Sequence, residues 1–261
     1  MALFALALLP TPTHASHSWG SYHWGRTSNP FTLKLGDNLA GSWKPYLGTT
    51  SYDWTLSSVL NTTVQASTKG ADCAPTSGRV EVCNADYGAT GWLGVAQIWA
   101  YADSHIAQGT AKQNDYYFSQ PKYNTSAWKN LVMCQEVGHT FGLGHQDEVF
   151  DNANLGSCMD YTSDPDGTLK NQLNNEHPNQ HDYDQLDKKI YRHRDSRNTY
   201  DTTTVALPAD VANARLNTRA EWGRLVKGSA DRGVGIYERT FPGGEKIVTF
   251  VIWADPGHAH P

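Results

Sequence analysis

Between Gln135 and His145 the chain reads Gln-Glu-Val-Gly-His-Thr-Phe-Gly-Leu-Gly-His, and no other stretch restricts the local fold as tightly. Gln135 and His139 are four apart, so on an α-helix their side chains differ by about 40° and share one face. Two donors at that spacing can hold one ion, and Glu136 stands one step round the helix, close to whatever is held. His145, six residues past His139, would point far round an unbroken helix. Gly142 removes that difficulty, because a glycine can take a left-handed conformation, end the helix and turn the chain back. Taken singly, the two histidines read as ordinary surface imidazoles; their joint spacing with Gly142 argues for shared ligation.

The rest of the chain reads as a mixed α/β order. Phe31–Leu35 alternates in the strand manner and ends at Gly36-Asp37-Asn38. A helix is expected over about 43–60, with Trp54, Val59 and Leu60 among its apolar positions, and strands over 61–65 and 79–83. The run Leu93–Tyr101 (LGVAQIWAY) suits a strand buried on one or both faces, and 105–112 a further strand. Ser126 or Asn124 caps a helix from about Ala127, on which Trp128, Leu131, Val132 and Val137 recur at helical spacing; this helix carries the motif. Pro178 opens a last helix to about His193. Residues 16–200 thus make one α+β domain, and 201–261 a small β-rich appendage. The appendage has a short helical stretch over 209–216, then the segment 222–226 and two strand-like runs over 234–241 and 246–253, with a turn at Pro242-Gly243-Gly244.

The net charge of −5 and the lack of basic runs argue against a nucleic-acid partner. Residues 2–9 form an apolar run of signal-peptide length, followed by the small-residue site Thr13-His14-Ala15, so 1–15 is expected to be an export signal and the protein secreted. That run is too short to span a bilayer, and no other segment is a candidate span. Four cysteines agree with an oxidising compartment. Three pairings are possible; we prefer Cys73–Cys83, a local loop, with Cys134–Cys158, which joins the motif helix to a later Met-containing turn.

The motif resembles the metzincin zinc proteases, whose signature is H-E-x-x-H-x-x-G-x-x-H followed by a Met-turn. Within that family it is most similar to the matrixin-like branch. The resemblance covers Gln135 to His145 and Met159, with Gln135 standing where the family has its first histidine. It implies a zincin-like fold: a twisted sheet, an active-site helix and a C-terminal helix. It implies zinc held by Gln135, His139 and His145, with Glu136 as general base and Met159 beneath the metal. Tyr161, two residues after that Met, falls where some branches place a further ligand or oxyanion donor; a structural hydroxyl is the competing role. The activity implied is hydrolysis of protein or peptide substrates by zinc-activated water, with substrate extended along an edge strand. The alternative is a weakened or inactive metzincin-fold binding protein, because a neutral Gln oxygen is a poorer zinc donor than imidazole.

Other residues read more plainly. His17, His23, His258 and His260 lie in terminal segments and read as solvated, with a second metal there as the minor alternative. His177, His181 and His193 flank the last helix as caps or surface groups. His105 suits a strand ligand for a structural ion, but nothing in the spacing supplies its partners. The acidic stretch 147–166 offers oxygens for Ca²⁺ but lacks a recognisable loop pattern, so solvated turns are expected. The sequence carries no signal of oligomeric state.

Overall fold

A computed structural model describes residues 16–200, 206–229 and 233–254. The export-signal expectation for 1–15, and His258 and His260, lie outside the described residues. The architecture is α+β: one large mixed sheet with a few helices. The strands are β1 (His23–Trp24), β2 (Phe31–Asn38), β3 (Leu60–Ala66), β4 (Arg79–Ala85) and β5 (Trp92–Ala100), then β6 (His105–Asn114), β7 (Arg224–Ser229), β8 (Val234–Thr240) and β9 (Lys246–Trp253). The helices are α1 (Lys44–Thr55), α2 (Asp115–Phe118), α3 (Ser126–His139), α4 (Gln180–Gln185), continued by a π-helical turn over Leu186–Ile190, and α5 (Ala209–Ala212).

The sheet order is β3-β2-β4-β6-β5-β9-β8-β7, with β1 paired to the start of β6. One half is parallel (β3, β2, β4, β6) and the other antiparallel (β5, β9, β8, β7). The strands anticipated for 201–261 therefore extend the main sheet, through the pairing of β9 with β5.

Strand β9 shows why both runs in the middle of the sheet are mostly apolar, with the buried Gln97 and Thr249 hydrogen-bonded to each other. Val248, Phe250 and Ile252 point into the core shared with α1 and α3, whereas Ile247, Val251 and Trp253 face a second cluster with Val211, Leu216 and Trp222. The period of two puts alternate residues on opposite faces. Both faces are covered, so neither set can be polar. The same holds for β5, every residue of which is buried.

Local corrections follow from side-chain hydrogen bonding. Helix α1 stops at Thr55, not near 60: the Ser57 hydroxyl accepts from the Val59 amide, and Leu60 already pairs with Phe31 in the sheet. The cap of α3 is Thr125, whose hydroxyl accepts from Trp128 N, while the Asn124 side chain takes the Lys129 ammonium instead. The last helix opens at Gln180 with a reciprocal Asn179–Asp182 capping box and ends by Ile190, short of His193. Around 209–216 only Ala209–Ala212 is helical.

Both preferred disulfides form, Cys73–Cys83 and Cys134–Cys158, and the described residues hold no free cysteine. Cys134–Cys158 closes a separation of 24 residues. By loop entropy such a closure is worth about 3 kcal/mol, and it staples α3 to the Met159 turn. No helix among the described residues is long and apolar enough to cross a membrane.

Candidate metal centre

Helix α3 is buried from Ala127 to His139 except at Asn130, so its motif face looks into protein rather than solvent. At its end the Gly142 amide donates to the His139 carbonyl, and Gly142 adopts φ +94°. The glycine does a second thing that the spacing did not announce. A Cβ there would lie 2.1 Å from the Tyr22 carbonyl, so its absence lets the N-terminal arm cross the turn. Trp19 N donates to the Gly142 carbonyl (2.8 Å), and the buried Trp24 indole donates to the Thr140 carbonyl (2.9 Å).

This turn brings His145 back beside His139, with ring centroids 4.5 Å apart and planes nearly perpendicular. Each ring has its Nδ1 tied down. His139 Nδ1 lies 2.8 Å from the Leu143 carbonyl, which fixes the proton on Nδ1 and leaves Nε2 with its lone pair. His145 Nδ1 lies 3.2 Å from Glu148 Oε1. Gln135 is oriented in the same way: its Nε2 donates to the Cys158 carbonyl (2.8 Å), so its oxygen is turned elsewhere. Gln135 Oε1, His145 Nε2 and both oxygens of Glu136 are buried without an aligned hydrogen bond, although the Ala96 amide approaches the Glu136 carboxyl. Buried polar atoms are almost always partnered, so four such atoms on three motif residues make Gln135, Glu136 and His145 candidates for holding a ligand. Two imidazole nitrogens and one amide oxygen are donors of the kind that zinc takes.

Burial dominates the electrostatics. Desolvation pushes the Glu136 carboxyl well above the usual carboxylate range, opposed by the Ala96 amide. It holds His139 well below its ordinary value, with His145 adding to the effect, and it lowers His145 as well. Both imidazoles are therefore in the neutral form that ligates metals. Glu148 is partly exposed; desolvation would raise it, but hydrogen bonds from His145 and Lys227 hold it at about 2. An anion fixed on His145 Nδ1 is a typical outer support for a metal ligand. The sequence contained this support, since Glu148 follows His145 by three residues, but only the returning loop shows which atom it meets.

Met159 packs against the helix at Gly138. A Cβ at Gly138 would meet its sulfur at 2.7 Å and the Trp54 ring at the same distance, so Gly138 is what lets them close on α3. The Tyr161 ring stands edge-on to His145 (4.6 Å), but its hydroxyl donates to the Val251 carbonyl of β9 (3.4 Å). Phe250 lies flat on His139, centroids 4.3 Å apart and planes 6° from parallel. Phe250 is the motif's neighbour that sequence reasoning missed. It sits more than a hundred residues away, in an ordinary apolar strand. The strand nearest Glu136 is not an edge: β5 is paired with β6 on one side and β9 on the other. A Cβ at Gly94 of β5 would touch Glu136 Oε1 at 2.7 Å, so that glycine makes room for the carboxyl.

His17 and His23, anticipated as solvated, are not. His17 is buried, with Nδ1 3.1 Å from the Gly144 carbonyl and Nε2 3.3 Å from Asp182, which supports the motif loop from outside. His177 pairs with Asp53 (2.7 Å). In the acidic stretch, Asp147, Asp160, Asp164 and Asp166 each accept from loop backbone amides. No family model matches this chain, and no curated protein matches it significantly.

Proposed function

We propose that the protein is a zinc-dependent endopeptidase of metzincin, matrixin-like type, with Gln135, His139 and His145 as ligands and Glu136 as general base. The observation that carries this reading is the set of buried atoms without an aligned hydrogen bond on Gln135, Glu136 and His145, on residues whose remaining ring or amide nitrogens are already committed. Zinc bound there would supply Lewis-acid polarisation of the scissile carbonyl and an activated water. Glu136, held dry by Val132 and the β5 backbone, would accept the proton from the attacking water and deliver it to the leaving amine. Tyr161 would donate to the carbonyl oxygen as negative charge develops, once its hydroxyl leaves Val251.

One observation favours a second reading, a metzincin-fold binding protein with weak or no catalysis. Strand β9 fills the flank of β5, and Phe250 covers His139. On the catalytic reading, the β8–β9 hairpin has to yield before an extended peptide reaches Glu136.

The test is to count bound zinc in the mature protein and in His139→Ala, and to assay cleavage of an unfolded protein beside Glu136→Ala and Gln135→His. The catalytic reading expects His139→Ala to lose one zinc per chain, and Glu136→Ala to lose about 10²–10⁴ in rate with its zinc retained. Zinc unchanged in His139→Ala, or no proteolysis by the wild type at any zinc level, would sink it. A large gain in Gln135→His would show that the amide ligand limits the natural site.

A further inference from the structure

Three segments far apart in the sequence meet at the start of β6. Parallel pairing of β1 with β6 sets His23 opposite His105. The segment after the last helix returns along the same arm, with Asp195 N donating to the Arg26 carbonyl and Thr199 N to that of Gly25, both at 2.8 Å. As a result His23 Nε2 and His105 Nε2 lie 3.3 and 3.2 Å from one oxygen, Asp195 Oδ1. Among the described residues this is the one group of three His, Cys, Asp or Glu whose donor atoms all fall within 4.8 Å of one another.

The surroundings orient each donor. His23 Nδ1 is 2.7 Å from the Ser21 carbonyl, so it carries the hydrogen, and the side of the ring facing Asp195 is Nε2. His105 Nδ1 is 2.9 Å from Asp103, yet neither of its nitrogens has an aligned hydrogen bond. The other oxygen of Asp195 is occupied by the Arg26 amide (3.0 Å) and guanidinium (3.1 Å). Arg26 is itself fully buried and anchored on the carbonyls of Tyr191 and His193. Both nitrogens of His23 and both of His105 thus face oxygens, with His23 Nε2 in hydrogen-bond reach of Asp195 Oδ1, and the set is satisfied only by extra protons on the rings or by a cation shared among the three.

We propose that His23, His105 and Asp195 form a metal site of their own, for a divalent ion of the zinc class. It would clasp the N-terminal arm, β6 and the tail after the last helix. Zinc–ligand bonds of about 2.0–2.1 Å in a tetrahedron put neighbouring donors roughly 3.3 Å apart, which the observed 3.2 and 3.3 Å match. An Nδ1 hydrogen held by a backbone carbonyl, as on His23, is how ligating imidazoles are commonly fixed. Two nitrogens in the set disfavour calcium and magnesium. The side chains are only 15–18 % exposed, so solvent reaches the group from one side and can supply a fourth ligand. The clasp has a structural purpose, because the arm it holds carries the Trp19 and Trp24 contacts to the motif turn.

The proposal is independent of the motif centre and is tested apart from it. After dialysis, His139→Ala should retain one zinc per chain, and His139→Ala with His105→Ala should retain none. In case the double variant fails to fold, Asp195→Asn keeps an oxygen for Arg26 while removing the charge, and should weaken that zinc more than tenfold. Titrating zinc into stripped, folded wild-type protein should shift the ring ¹⁵N resonances of His23 and His105 and raise the melting temperature. If zinc content is the same with and without His105 and Asp195, or if those resonances do not move, protons alone fill the cluster and the proposal is overturned.

Discussion

Two glutamates, Glu81 on β4 and Glu136 on α3, are both 0 % exposed, and their surroundings differ in kind. Glu81 accepts from the Thr76 hydroxyl (2.6 Å), the Arg79 guanidinium (2.6 Å) and the Asn38 amide (2.8 Å). Even Gly36 serves it, since a Cβ there would stand 2.1 Å from its oxygen. Desolvation works against this anion, but the hydrogen bonds win and its pKa falls below the ordinary value. Glu136 has burial and almost nothing against it, and its pKa is raised. A buried carboxyl with every lone pair answered holds structure together. One left unanswered costs stability, which makes it a candidate functional group.

The cover over His139 is the largest thing to break. Phe250 is fully buried, so Phe250→Ala should cost about 3–5 kcal/mol in urea unfolding. It should also speed zinc exchange at the motif and raise proteolysis, because it uncovers His139. Slower exchange, or unchanged exchange with the full loss of stability, would show that Phe250 is core only and not a cover.

Exchanging the glutamates for glutamine tests the comparison directly. Glu81→Gln removes a charge that three partners hold, and should destabilise by about 2–3 kcal/mol. Glu136→Gln in zinc-free protein removes a carboxyl with no aligned hydrogen bond, and should lose no stability. Equal losses would erase the distinction. The pH dependence has a definite sign. The Glu81 pKa is lower in the folded chain than its ordinary 4.5, so its contribution is fully present above that value. It is lost as the pH falls through the folded value, and Glu81→Gln should therefore show a flatter loss of stability below about pH 4.5 than the wild type.

Much of this arrangement could be read in the residues. Periods of two and 3.6 located β2 to β6, β8, β9 and α3, and the spacing 139–142–145 anticipated that His145 returns beside His139. Two kinds of information were out of reach. Hydrogen-bond competition set the boundaries: Ser57 ending α1, Thr125 in place of its neighbours Asn124 and Ser126. Long-range pairing set the neighbours: nothing local says that β9 lies against β5, that Phe250 meets His139, or that His23, His105 and Asp195 converge. Motifs are legible when their donors lie on one turn of chain, and illegible when sheet topology assembles them.

The smallest expected effect separates placement from chemistry on α3. Thr125 caps the helix ten residues before Gln135, through a 3.2 Å bond to Trp128 N. Thr125→Ala should cost about 1 kcal/mol. The far end of the helix is fixed by other means: the Cys134–Cys158 staple, Met159 packed on Gly138, and the Gly142 turn under Tyr22. Zinc content and the rate of proteolysis should therefore stay at wild-type level while the unfolding midpoint falls. If zinc is lost along with the cap, the donors are held by the helix as a whole. Glu136 would then owe its dry position to the length of α3 rather than to the packing around its end.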